Sequence, residues 1–161
     1  MATILLVTRP KHDITMRYIS TWAEKVIAEA KTRGHTVLDL SGSRARRENV
    51  EGMIAKQQPH VFFFNGHGNA HCVGGHDDEI LIAADDNDAI LAGSLVYALS
   101  CKSARVLGVR SVGKGTRAYI GYGVTHERWR YFLSSLSTVD KVPFSRDPNL
   151  RSIRRLSTPP S

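Results

Sequence analysis

Long hydrophobic runs are missing from this chain. The longest is five residues, reached at Ile80–Ala84 and again at Leu95–Leu99. A bilayer-spanning helix needs about 20 apolar residues, so no membrane span and no membrane partner is expected. The first ten residues hold no basic region ahead of the short apolar stretch Ile4–Val7, so no signal peptide is expected either. Cysteine is nearly absent. The two present, Cys72 and Cys101, stand 29 positions apart, which excludes a disulfide framework and any Cys-x-x-Cys zinc or redox pair. A reducing, cytoplasmic setting is therefore expected. Acidic residues are the scarcer charge, 15 against 22 Lys plus Arg, for a formal net charge of +7. Aromatics are also few and do not interleave with the basic clusters at Ser43–Arg47 and Lys141–Ser161, so nucleic acid is not the favoured partner. What remains is 161 residues with an ordinary 42% apolar content. That is enough for one well-buried core and too apolar for wholesale disorder.

The apolar pattern alternates between short runs and helical spacing. Strands are expected at Thr3–Thr8, His35–Leu40, His60–Asn65, Leu95–Ser100 and Arg117–Tyr122. Asp13 is placed to cap a first helix, with Tyr18, Ile19, Trp22, Val26 and Ala30 as its apolar stripe and Gly34 as its stop. Weaker helical patterns cover Asn49–Gln57 and Ser103–Val109, and a last one begins near Thr125 with Trp129, Phe132, Leu133 and Leu136. The polar, glycine-containing stretch from Asn69 to Gly93 predicts a small hairpin or flap followed by a short helix. Near-continuous apolar strands separated by amphipathic helices describe an α/β domain over residues 1–140. Its sheet would be mainly parallel, with about five to six strands covered on both faces. Residues 141–161, rich in Pro, Ser and Arg, read as a basic tail suited to surface exposure or to docking a regulatory protein partner.

In such sheets chemistry gathers at the carboxyl ends of the strands. Two of those ends carry reactive residues: Asn65-Gly66-His67-Gly68, and Leu99-Ser100-Cys101-Lys102-Ser103. A cysteine nucleophile needs a proton shuttle, and histidine is the usual one. Glycines beside His67 allow close backbone approach. The expected helix after Cys101 would lower the thiol pKa and offer donors to an oxyanion.

These segments resemble the caspase-fold cysteine peptidases, and among them the CHAT domains. The resemblance rests on Val61–Gly68, on the aliphatic–acidic stretch Glu79–Asp86, on Leu95–Ser103 and on Gly115–Gly123. It implies a three-layer caspase-like fold and a cysteine endopeptidase with His67 as the dyad histidine and Cys101 as the nucleophile. Gly68 and the Cys101 amide would form the oxyanion hole, and no cofactor or catalytic metal would be needed. Family members are usually longer, which leaves room for an activating partner or for a trimmed domain. A protein or peptide substrate is expected to lie along Gly121, Tyr122 and Gly123. Asp85 and Asp86 are the acidic groups available to select a basic residue before the scissile bond, and Arg9 is the group available for the opposite preference. The alternative is a catalytically silent interaction module on the same fold.

Three other patterns compete. His67, His71, Cys72, His76, Asp77 and Asp78 are dense enough to ligate a metal, but they leave a strand and lack the helix and Glu of a His-Glu-x-x-His site. Gly108–Thr116 is close to a phosphate-binding loop but would follow a helix and enter a strand, the reverse of what such a loop requires. The ends of the first and third strands lack the acidic residues of a response-regulator receiver.

Overall fold

The computed structural model describes residues 2–123. Five parallel strands make the central sheet: β1 (Ile4–Arg9), β2 (Thr36–Ser41), β3 (Val61–Asn65), β6 (Leu95–Leu99) and β7 (Ala118–Ile120), in the order β2-β1-β3-β6-β7. Three helices flank it, α1 (Ile14–Thr32), α2 (Arg47–Gln57) and α3 (Leu107–Gly113). The flap is a two-stranded antiparallel hairpin, β4 (Cys72–Gly74) and β5 (Ile80–Ala83), with single 3-10 turns at His76–Asp78 and Asp88–Leu91. The α/β class and the parallel sheet agree with the sequence pattern. The expected last helix from Thr125, a sixth strand and the tail boundary at residue 141 lie outside the described residues. Among the described residues no helix is long and apolar enough to cross a membrane.

Alternation along β1 and β3 explains why these strands read as unbroken apolar runs. Leu5, Val7 and Phe63 face α1, where Ala23, Ile27 and Ala30 pack on them. Leu6, Phe62 and Phe64 face the opposite side, a larger core shared with Val50 of α2, Leu107 of α3 and Val73, Leu81 and Ile82 of the hairpin. A strand buried on both faces has no polar alternation to display.

The chain crosses from β1 through α1 to β2, then returns through α2 to β3 on the other side of β1. Reversing direction with right-handed crossovers puts α1 and α2 on opposite faces of the sheet. It also leaves a crevice where the carboxyl ends of β1 and β3 part, the place where open α/β sheets receive ligands. Thr8 and Asn65 fasten the two strands at its base. The Asn65 side-chain amide donates to the Thr8 carbonyl at 2.9 Å, and the Asn65 N–H donates to Thr8 Oγ1 at 3.1 Å.

The first helix differs from its expected orientation. Asp13 does cap it, accepting the Met16 N–H at 2.7 Å, and Gly34 follows it at φ +78°. The buried face, however, is Met16, Ser20, Ala23, Ile27 and Ala30, while Tyr18, Trp22 and Val26 stay exposed. Small side chains let the helix lie close against β1 and β2; the bulkier stripe would hold it off.

Arg9, considered above as a substrate-selecting group, is instead a buried structural cation. It forks onto Asp39 at 2.8 and 2.6 Å and reaches Glu24 at 2.8 Å and Ser20 at 3.2 Å. Asp39→Ala would remove the bidentate partner of that charge and should lower stability by about 3 kcal/mol, the low end of the range for a broken buried pair because Glu24 remains. Urea denaturation of the variant measures it.

Candidate functional site

The crevice between β1 and β3 collects side chains from three loops. The chain leaving β1 delivers His12 and Asp13, the chain leaving β3 delivers His67, and the hairpin turn delivers His76, Asp77 and Asp78. Asp13 serves two partners at once. Oδ1 accepts the Met16 N–H of the helix cap, while Oδ2 lies 2.6 Å from His67 Nε2. These two hydrogen bonds, the cap first and His67 second, hold the Asp13 carboxyl below the usual carboxylate range. With Nε2–H given to Asp13, neutral His67 keeps its lone pair on Nδ1.

His67 and Cys101 do arrive at neighbouring strand ends. β3 and β6 pair in parallel up to Asn65 opposite Leu99, and the Gly66 N–H continues the contact to the Leu99 carbonyl at 3.3 Å. One residue further, Ser100 Oγ donates to the His67 carbonyl at 3.0 Å. Cys101 follows directly and is exposed, whereas Cys72 is buried in β4. Among the described residues no hydrogen bond joins the His67 ring to the Cys101 thiol.

Two glycines make this close approach possible. A Cβ on Gly66 would strike the Gly74 carbonyl, and one on Gly68 would strike Ser100 Oγ and come within 2.7 Å of the Cys72 carbonyl. Gly68 forms an antiparallel bridge with Val73, whose hydrogen bonds run from the Asn69 N–H to Cys72 and from the Gly74 N–H to His67. Neither uses the Gly68 N–H.

The surroundings of Cys101 depart from expectation. The helix after it begins at Leu107, so residues 101–106 are turns and the thiol gains no helix N-terminus. The α3 amides nearest that end, Val106 and Leu107, are bonded to the Ala70 carbonyl. What exposes Cys101 is a sharp turn at Lys102, whose φ of +57° is a left-handed conformation costly for a residue with a Cβ. Lys102→Gly should relieve that strain and raise stability by about 0.5–1 kcal/mol, as the shift in denaturation midpoint would register.

The acidic residues of the flap are paired with neighbouring cations. Asp85 pairs with Lys114 at 3.1 Å and Arg110 at 3.4 Å, and Asp86 with Arg47 at 2.7 Å. Lys114 and Arg47 respectively hold these two carboxyls below the usual range. The flap is thus neutralised almost residue by residue, since Arg46 also binds Asp77 at 2.8 Å and Glu79 at 2.7 Å, and Lys114 reaches buried Asp88 at 2.8 Å. Asp78 differs, facing His12 Nε2 at 3.3 Å. Gly121 packs against Tyr119 and Ser103 tightly enough that a Cβ would lie 2.9 and 3.1 Å from them. The Tyr122 carbonyl accepts the Ala104 N–H at 3.1 Å, and its hydroxyl lies 3.4 Å from that of Tyr97. Gly123 closes the described chain. The Gly108–Thr116 segment runs from α3 toward β7, the reverse of a phosphate-binding loop, as its context predicted.

Sequence reasoning missed His12 as a member of this site and read Asp13 as a helix cap alone. The available signal was position: His12-Asp13 follows β1 closely, and the end of the first strand flanks the switch point in many α/β sheets. No protein-family model and no curated protein matches the chain.

Proposed function

We propose that this chain is a cysteine endopeptidase of the caspase-fold kind its sequence resembles, working through Asp13, His67 and Cys101. The observation that carries the proposal is the 2.6 Å Asp13–His67 hydrogen bond beside the exposed Cys101 loop. It gives the imidazole a fixed tautomer, so Nδ1 is the atom that takes the thiol proton. The thiolate attacks the scissile carbonyl, and the Gly68 and Cys101 amides receive the oxyanion. Collapse breaks the C–N bond and sends the proton from His67 to the departing amine. Water, deprotonated by the same nitrogen, then releases the acid and restores the thiol. A reducing cytoplasmic environment suits a mechanism that depends on a free thiol.

The substrate is a protein or peptide, and a partner protein that narrows the His67–Cys101 gap would act as an activator. Preference for a basic residue draws little support from Asp85 and Asp86, whose charges are held by Lys114, Arg110 and Arg47.

The exposed stripe Tyr18, Trp22 and Val26 supports the second reading, a silent interaction module. It borders a cavity of about 360 Å³ that Phe63 and Tyr97 also line. One experiment separates the two. A thiol-directed peptide electrophile should label Cys101 well ahead of Cys72, and His67→Ala should abolish the difference. Slow labelling of Cys101 that ignores His67 would favour the interaction module.

A further inference from the structure

We propose that His12, His67 and Asp78 form a binding site for a divalent transition-metal ion of the zinc class. One ligand atom from each lies within 4.8 Å of the other two. His12 Nε2 and Asp78 Oδ1 are already 3.3 Å apart, the edge length of a tetrahedron with metal–ligand bonds of about 2.0–2.1 Å. The Asp78 and His67 side chains are 65% and 44% exposed, which leaves both open to rotation toward an ion. The fourth position falls to water, as in three-ligand zinc sites.

The surroundings favour this set. Asp13 Oδ2 lies 2.6 Å from His67 Nε2 and 3.6 Å from His12 Nε2, adding a negative charge on the same rim. His12 is largely buried at 13% side-chain exposure, and its Nε2 is the ring atom turned toward Asp78 and Asp13. An overlapping set, His12, His76 and Asp77, is disfavoured because Arg46 already neutralises Asp77 at 2.8 Å. Two imidazoles and a carboxylate select zinc, nickel or copper over magnesium and calcium, which prefer all-oxygen shells.

Binding would have one consequence that rests on the peptidase proposal. An ion held by His67 withdraws that imidazole from proton transfer, so the metal acts as an inhibitor of Cys101.

The test uses the tag-free full chain, stripped with a chelator and titrated with Zn²⁺ in competition with a chromophoric chelator, and separately with Co²⁺. One ion per chain is expected, with a visible Co²⁺ spectrum of low coordination number and no thiolate charge-transfer band. His12→Ala and Asp78→Ala should each weaken Zn²⁺ binding on the order of 100-fold, while Cys101→Ser leaves it in place. No saturable binding, binding that survives His12→Ala, or a thiolate band lost in Cys101→Ser would each overturn the site. Zn²⁺ should also slow electrophile labelling of Cys101 in the wild type and not in Asp78→Ala. If Cys101 proves unreactive in the metal-free chain, the peptidase proposal fails while the metal titration still stands. If Cys101 is reactive and bound Zn²⁺ leaves its rate unchanged, the inhibitory role is overturned.

Discussion

On the proposed peptidase mechanism, Asp13→Asn should lower peptide cleavage by about 10²–10⁴-fold while leaving the fold nearly as stable as the wild type. The separation of the two effects follows from the two oxygens of Asp13. Asparagine is as good a helix N-cap as aspartate, and its carbonyl can go on accepting the Met16 N–H. Its amide then faces His67 Nε2, where a donor has replaced an acceptor. The neutral ring must present its lone pair to that amide and carry its proton on Nδ1, the nitrogen needed to receive the thiol proton. The imidazolium formed during attack also loses its counter-charge. Asp13→Ala should lose the same activity and about 1 kcal/mol of stability as well, because the cap goes with it. Steady-state cleavage and urea denaturation, run on both variants, separate the roles. Equal activity in Asp13→Asn and wild type would remove Asp13 from the mechanism.

Gly68→Ala is expected to have the second-largest effect, a loss of about 10²–10³-fold in cleavage, the amount carried by one oxyanion donor. The new Cβ meets Ser100 Oγ and the Cys72 carbonyl together. Ser100 can rotate away, giving up its 3.0 Å bond to the His67 carbonyl, but the Cys72 carbonyl belongs to β4 and does not rotate. The strand end must shift, and it carries the Gly68 amide and the His67 ring with it. Stability should fall by about 1–3 kcal/mol, as for other overpacked sites. Adding Ser100→Gly should restore part of the stability, because it removes the side-chain clash and leaves the backbone one. Activity should stay low in the double variant, since the amide remains displaced. Recovery of full activity would show that the clash with Ser100 alone mattered and that the Cys72 carbonyl does not displace the site.

The sheet was legible because burial on both faces writes itself as a run of apolar residues, and five such runs in 161 residues leave few arrangements. The arrival of His67 and Cys101 at neighbouring strand ends was legible for a related reason, since each stands two or three residues past such a run. Local chemistry also announced the Asp13 cap and the Gly34 stop, features that involve only neighbours along the chain.

Other features depend on distances between segments that no local pattern encodes. Helix α1 carries two apolar stripes, and only the close approach of β1 and β2 selected the one built on Ala23, Ile27 and Ala30 over the one built on Trp22. The start of α3 moved from Ser103 to Leu107 because the Ala70 carbonyl, from the other loop, takes the amides of Val106 and Leu107. Asp85 and Asp86 read as acidic groups free to select a substrate side chain, but the hairpin folds onto α2 and the end of α3, where Arg47 and Lys114 hold them. The meeting of His12, Asp13, His67 and Asp78 is of the same kind. Those residues span sixty-six positions of sequence, and they converge because the reversal of strand order at β1 opens a crevice there. Sequence determined which side chains stand at strand ends; the topology of the sheet decided which ends face one another.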